Sequence, residues 1–517
     1  MDVTAVILCG SPGERMHPLT GSSLDDFSDS TPSQDQSIDD VVPKCLLPVA
    51  ATTPLSLLLK ALEIAGIDLK ENTLVLSAVE ISPNLRSYLA KKHPGVPFAE
   101  LPVTSNGSAD ALRFCKTSAR VPPHHHIMLL PSDLILESAS SLIGLYTTHL
   151  NAFNEISPCT QSCGGLTMLL ADVGMEDEQD KPVKESKKAK QNKLVREDEE
   201  IEFIGYSTPS SSIYNPTSLP PPPTSSTPTP PSLHTPSNPP NRILLKKQKA
   251  AVEETEDQDT GETPKLIIPK SLIRASSTCL TSFNLRTDLL DLHCYMIAPR
   301  IWSNLLFCQS FENKHSMQDQ IIPLIIDKQL LHYPALFKMP PAEFLEAFTS
   351  PSTTPPTPPS PICLVNAHIL PRNSTLSMRV CTVANYLLAC RESVSHSIRP
   401  PKLHPASLPS TFGRLEGTVH AKDNSLLGEG TTKGSGGAVK NSTIGANVSI
   451  GSKCKINNCV VMDDVVIKDG CTLQNSIICK KVTVEQNCNL NNCQVASAVV
   501  VAQKSKLTDE VVYAAEK

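Results

Sequence analysis

The sequence predicts a layered α/β domain followed by a parallel β-helix, and three observations carry that expectation. From residue 1 to about 170, apolar runs alternate with helical patterns, the arrangement that packs helices against a sheet. In the carboxy-terminal third, aliphatic residues recur about every six positions inside a longer repeat of seventeen. Between these regions lie charge-dense and proline-rich tracts that cannot bury enough apolar surface to offset their ordering entropy.

Bulk properties narrow the class. A chain of 517 residues with 40% hydrophobic content has material for two or three cored domains. A net charge of −6 and a pI near 6.2 argue against a nucleic-acid footprint. The basic run K-K-A-K-Q-N-K at Lys187 to Lys193 is followed at once by acids and reads as solvated chain. No segment approaches the roughly 18 apolar residues of a membrane helix, and the amino terminus lacks a basic stretch leading into an apolar one. The expected compartment is the cytosol, with no membrane or direct nucleic-acid partner. Seventeen cysteines without a C-x-x-C pair fit reduced thiols used as small apolar side chains, and no zinc site is readable. His124, His125 and His126 cannot converge on one metal from an extended chain and read as a polar lead into a strand.

The expected strands of the first domain are 4–9, 73–79, 97–101, 127–130 and 165–171, with a late strand over 288–297. A helix over 55–65 starts after Pro54 and stops at Gly66, as amino-terminal proline and carboxy-terminal glycine dictate. Further helices are expected over 109–117 and 138–150, the second with Ser138 at its N-cap. The domain is expected over 1–345, with disordered insertions at about 21–41 and 173–264. The second contains the charged stretch 176–200 and a Pro/Ser/Thr tract over 208–241, and folded sequence resumes over 266–275. A Pro-rich linker over 346–362 leads into a helical connector over 363–413, where 376–391 has helical spacing. The β-helix is expected over 414–517.

The repeat itself is explicit. Ile450, Ile467 and Val484 align at a period of seventeen, as do Cys454, Cys471 and Cys488, then Ile456, Leu473 and Leu490, and Val465, Val482 and Val499. Three short sides make a coil, and coils stack at about 4.8 Å. Inward sites take Ile, Val, Leu or Cys, and 415–512 holds no Phe, Tyr or Trp, as a narrow prism requires. Asn458, Asn475 and Asn492 align as well, which predicts an amide ladder at a corner.

The chemistry-bearing segment is the loop after the first strand, G-S-P-G-E-R-M-H-P-L-T from Gly10 to Thr20. Glycines between a strand and a helix let bare backbone N–H groups approach phosphates. Gly10, Gly13 and Arg15 fit that purpose, whereas Ser11 stands at a second glycine position and Glu14 brings a carboxylate. At about 4 Å and an effective dielectric near 20, each like-charge contact costs roughly 4 kcal/mol. The loop is expected to bind a triphosphate poorly.

With V-P-K-C-L-L-P-V following at Val42 to Val49, the chain resembles the sugar-phosphate nucleotidyltransferases through Arg15, Pro18, Leu19, Thr20, Pro43, Lys44, Pro48 and Val49. The resemblance implies a Rossmann-like nucleotidyltransferase fold in which the glycine loop, its Arg and the Lys position a triphosphate. It puts Asp133 of L-L-P-S-D-L-I in the place of a magnesium ligand and Asn106-Gly107-Ser108-Ala109 at the nucleobase-side turn. Gly10, Gly13, Arg15, Lys44, Gly107 and Asp133 are thus the candidate residues of a vestigial nucleotide pocket. The departures are Ser11, Glu14, Cys45 for a proline, Ser132 for a glycine, and no Glu-Lys-Pro motif, the nearest stretch being Glu202-Phe203-Ile204-Gly205. Group transfer at phosphorus depends on positioning and charge neutralisation together. No catalytic residue, resident metal or cofactor is expected.

A nucleotidyltransferase-like domain joined to a left-handed β-helix also resembles the gamma and epsilon subunits of eukaryotic translation initiation factor 2B. The matching segments are N-G-S-A-D-A-L-R at Asn106 to Arg113, L-L-P-S-D-L-I at Leu129 to Ile135, D-L-L-D-L-H-C-Y at Asp288 to Tyr295, and the repeat. Epsilon continues into a helical catalytic domain, whereas this sequence stops at Lys517 with one Trp, which favours the gamma type as the expectation. That resemblance implies a non-enzymatic partner of the epsilon and other subunits, which together release GDP from initiation factor 2. The alternative expectation is an active nucleotidyltransferase making GDP-mannose or ADP-glucose. A hexapeptide acyltransferase would need a histidine base in the coils, and the last histidine is His420.

Overall fold

The computed structural model describes residues 2–10, 14–16, 18–20, 42–49, 52–154, 163–173, 201–208, 241–248, 282–303, 305–307, 311–328, 363–372, 376–398, 411, 418–420 and 423–513. The expected insertion at 21–41, the charged stretch 176–200, the interior of the Pro/Ser/Thr tract, the segment 266–275 and the linker 346–362 lie outside them.

In chain order the first domain runs β1 (Val3–Cys9), α1 (Pro54–Ile64), β2 (Thr73–Ser77), α2 (Ser82–Lys92), β3 (Phe98–Glu100), α3 (Ser108–Thr117), β4 (His126–Pro131) and β5 (Leu134–Leu136). It continues with α4 (Ser140–Asn154), β6 (Cys163–Asp172), β7 (Glu202–Thr208), β8 (Asn241–Gln248), β9 (Ser282–Arg286) and β10 (Leu289–Ile297). Last come α5 (Pro299–Ser303), α6 (Ile322–Lys328), β11 (Cys363–Leu370), β12 (Ser377–Arg379) and α7 (Val383–Ile398). Among the described residues, ten strands form one mixed sheet in the order β3-β2-β1-β4-β10-β6-β11-β8-β7-β9. The first four are mutually parallel, and β10 runs antiparallel to both β4 and β6.

Alternation along the central strands feeds two cores. Val6, Leu74, Ile127 and Leu129 point to the side covered by α3, α5 and α6, where Leu112, Trp302 and Ile322 are buried. Ala5, Ile7, Val75 and Met128 point to the other side, under α1, α2 and α4, with Leu58, Leu85 and Leu142. Helix α1 begins where the sequence places it because Pro54 presets the first turn and the Thr53 side chain accepts from the Ser56 N–H at 3.2 Å. Gly66 follows with φ +85°, the left-handed turn that only glycine adopts without penalty.

Two expectations of domain organisation need correction. Inside 173–264, read as a disordered insertion, β7 and β8 pair antiparallel with each other in the main sheet and bury Ile204 and Ile243 in its core. Inside 363–413, read as a helical connector, β11 lies parallel to β6, with Val365 and Ala367 in the same core. Strand β12 then pairs antiparallel with β5, and the helix starts at Val383 and not at 376. The α/β domain therefore reaches past residue 345 to β12.

The carboxy-terminal unit is a parallel β-helix. Three parallel sheets stack residues seventeen apart in register, for example Ile456 on Leu473 and Leu473 on Leu490. The expected inward columns are buried together, including Cys454, Cys471 and Cys488. Each coil turns three corners with a residue in the left-handed region. One corner repeats Asn424, Asn441, Asn458, Asn475, Asn492 and Asp509, all at φ between 47° and 57°. Asn and Asp are the side-chain-bearing residues that tolerate this conformation best, which explains the column the sequence displays. The ladder forms, with Asn458 Nδ2 donating to Asn475 Oδ1 at 2.7 Å and Asn492 Nδ2 donating to Asp509.

Candidate functional site

The strand order reverses around β1, with β2 and β3 on one side and β4 on the other, and in such sheets the ligand crevice opens at the carboxyl ends of the strands there. Gly10 follows the last residue of β1, and Asp133 stands two residues past the end of β4. Ser132 N–H donates to the Leu8 carbonyl at 3.1 Å and fixes the turn that presents Asp133. The Lys44–Leu46 turn of the V-P-K-C-L-L-P-V segment reaches the same place, and Cys45 is buried against Cys9. A hydrogen bond with Cys45, together with burial, pushes the Cys9 thiol well above its usual range.

Asp133 is 1% exposed, and its carboxylate is wholly engaged. Lys44 Nζ donates to Oδ2 at 2.7 Å. Arg379, at the end of β12, donates from Nε to Oδ1 at 3.2 Å and from Nη2 to Oδ2 at 3.1 Å. Burial alone would raise the Asp133 carboxyl, but Arg379 and Lys44 together hold it below the ordinary carboxylate value. Arg379 in turn meets the imidazole of His293, Nη1 to Nδ1 at 2.7 Å. His293 sits at φ +54° in a bulge of β10 between Asp291 and Tyr295. Burial, and then the Arg379 charge, hold its pKa well below normal, so it accepts from Arg379 as a neutral ring.

Asp291 and Glu202 form a second buried cluster around Lys246, at 3.3 and 2.7 Å, and Tyr295 Oη donates to Asp291 at 2.9 Å. Burial works against the Lys246 ammonium, but Asp291 and Glu202 outweigh it and raise its pKa. Three acids (Asp133, Asp291, Glu202) thus face three bases (Lys44, Arg379, Lys246) inside the protein. The clusters border a cleft of about 270 Å³ lined by Arg15, Arg379, Gln248, Gln318 and Asn385 among others.

This arrangement does not fit the magnesium that the nucleotidyltransferase resemblance implies at Asp133. A magnesium ion would need a carboxylate oxygen free to bind it beside waters and phosphates, and both Asp133 oxygens already accept from cationic side chains. The arrangement neutralises the carboxylate from within the chain.

Of the expected pocket residues, the fold brings Gly10, Arg15, Lys44 and Asp133 to one end of the sheet. Gly13, with Ser11, lies outside the described residues. Gly10 is exposed, and a Cβ there would meet nothing within 4 Å. Gly107 belongs to a different, closed arrangement. A Cβ on it would collide with the His315 carbonyl, which accepts from the Ala109 N–H at 2.8 Å. The Ser108 hydroxyl accepts from the Met317 N–H at 2.9 Å, and Arg113 holds the carbonyls of Leu306 and Lys314 at 3.1 and 2.8 Å. The turn expected beside a nucleobase spends these groups on 305–317. Arg379 and His293 were not singled out from sequence. The preceding D-L-L-D-L could have pointed to His293, but nothing local marks Arg379.

Beyond this site, α7 packs between the two domains. Tyr386 and Ala389 share a buried cluster with Met16 and Leu47 of the first domain and with Val460, Met462, Ile477 and Cys479 of the coils. The period, the three parallel sheets and this docking describe the β-helix, and its sequence can be compared with known families. Residues 413–507 match the family model of the left-handed β-helix domain of initiation factor 2B subunit epsilon. The carboxy-terminal domain is therefore similar to a β-helix of translation initiation factor 2B, and its three-sided coils are consistent with the left-handed β-helix that the family model describes. The mixed sheet of the first domain is compatible with a Rossmann-like fold. No curated protein matches the chain significantly.

Proposed function

We propose that this chain is a non-catalytic subunit of a translation initiation factor 2B guanine-nucleotide exchange complex, of the gamma type. The observation that carries the reading is the match of 413–507 to an initiation factor 2B β-helix. The matched subunit is epsilon. The gamma assignment rests on the resemblance of 106–113, 129–135 and 288–295 and on the internally paired carboxylates, which suit a domain kept for its surfaces. In this reading the chain works in the cytosol, pairs with an epsilon-type subunit and the other subunits, and binds GDP-bound initiation factor 2 as part of the assembly. It contributes by favouring the nucleotide-free state through differential binding and makes no bond.

The experiment is a GDP-release assay on initiation factor 2 with an epsilon-type subunit, with and without this chain. The expected result is faster release with the chain present and no loss of that stimulation in Arg15→Ala. Equal rates with and without the chain would refute the proposal. The enzymatic alternative has Gly10, Arg15, Lys44 and Asp133 gathered at the crevice in its favour. It requires pyrophosphate release from a nucleoside triphosphate and a sugar phosphate that disappears in Asp133→Ala.

A further inference from the structure

We infer that the Lys44–Asp133–Arg379 cluster is the joint that fixes the β-helix to the α/β domain. The cluster joins three separate pieces of chain. Asp133 leads into β5, and β12 pairs with β5 through Ser377–Leu136 and Arg379–Leu134. The Val380 N–H donates to the Asp133 carbonyl at 2.9 Å, so both the backbone and the side chain of Asp133 hold the end of β12. Helix α7 starts at Val383, too few residues later for slack.

The other end of the Lys44 segment holds the same helix. The Pro48 carbonyl accepts from Tyr386 Oη at 2.7 Å and from Cys390 Sγ at 3.7 Å. Tyr386 is fully buried, in the cluster that includes Val460, Met462, Ile477 and Cys479 on one sheet of the β-helix. The segment from Lys44 to Pro48 thus grips Asp133 at one end and α7 at the other, and α7 carries the coils. A charge that sat free at Asp133 would be costly in this buried place, so the pairing is held strongly. Apolar burial under α7 supplies the adhesion, while the ion cluster fixes where β12 ends and hence how α7 is set. The same carboxylate cannot serve both a metal and this joint, since both oxygens are taken.

Hydrogen exchange on the full-length chain tests the joint. In Asp133→Asn and in Arg379→Gln, amides of α7 and of 460–462 and 477–479 are expected to exchange about tenfold faster or more than in wild type, with 484–501 unchanged. Faster exchange confined to 131–137 and 376–380, with α7 and the coil face unchanged, would overturn the inference. Should Asp133→Asn fail to fold, Arg379→Gln gives the same readout, because it leaves Asp133 paired with Lys44. A double-mutant cycle of Arg379→Gln with Tyr386→Phe separates this from local loosening. Non-additive effects on α7 exchange support the joint, and additive effects contradict it. Manganese titration followed by electron paramagnetic resonance gives an independent arm. Wild type is expected to show no manganese bound in an Asp133-dependent way, and a bound signal lost in Asp133→Asn would contradict the inference. None of these readouts depends on the exchange-factor reading.

Discussion

Arg379 grips both carboxylate oxygens of Asp133, at 3.2 and 3.1 Å, across 246 residues of sequence. The pair makes the residue that the nucleotidyltransferase resemblance would give to a metal part of the protein's own charge balance. Removing Arg379 leaves the nearly inaccessible Asp133 carboxylate with Lys44 at Oδ2 and takes away the Arg379 donor at Oδ1. Arg379→Ala is therefore expected to cost about 3–5 kcal/mol, measured by chemical denaturation of the full chain. Arg379→Lys keeps the charge but not the two-pronged geometry and should fall between wild type and Arg379→Ala.

The pH dependence of stability should show a buried histidine pair. His126 Nδ1 and His149 Nε2 are 2.9 Å apart, and His149 Nδ1 is 3.0 Å from the Thr167 hydroxyl. Burial lowers His126 to about 4 and His149 to about 3, so the folded state keeps both neutral where the unfolded state takes up protons. Stability from this source is complete above the unfolded value near 6.5 and falls with pH from there towards the folded values. At pH 5 the deeply buried His149 alone should cost about 2 kcal/mol. His149→Gln should flatten the fall in urea stability between pH 7.5 and pH 5. An unchanged slope would assign that fall elsewhere.

The β-helix should respond differently at its core and at its corners. Leu473, fully buried between Ile456 and Leu490, is expected to cost about 2–5 kcal/mol when replaced by Ala. Asn475 stands at φ +50° and accepts from Asn458, and Asn475→Ala should cost about 1–2 kcal/mol through the corner conformation. Asn475→Gly should recover most of that loss. Thermal unfolding of the three variants distinguishes the two causes.

The cysteines should behave as packing. The side-chain environment of twelve of them is described, and all twelve are buried. Burial pushes Cys115 and Cys459 up to about 12, which leaves almost no thiolate at neutral pH. Brief iodoacetamide treatment of native protein, read by peptide mass spectrometry, should leave these twelve unlabelled and label them after denaturation. Rapid native labelling of the 454, 471 and 488 column would contradict its role as filler.

What the sequence made legible follows from how local the signal is. The coils repeat one environment every seventeen residues, so Cys454, Ile456 and Asn458 could each be checked against two aligned copies. Strand β1 and helix α1 carry their own apolar pattern and caps. Lys44 and Asp133 were legible because short motifs surround them. Arg379 was not, since its meaning comes from pairing β12 with β5 across most of the domain. Strands β7 and β8 were hidden by the tracts that flank them, and β11 by the proline-rich sequence before it. Helix α2 (S-P-N-L-R-S-Y-L-A-K-K) buries only Leu85 and Leu89 among its large apolar residues, too sparse a stripe to announce a helix.

The central claim, that this chain is a non-catalytic subunit of an initiation factor 2B assembly, is tested most directly by affinity isolation from native extract with stoichiometric identification of partners. The expected partners are an epsilon-type subunit at equal amount, further initiation factor 2B subunits, and initiation factor 2 in its GDP-bound form. Isolation of the chain by itself, or only with copies of itself, would contradict it.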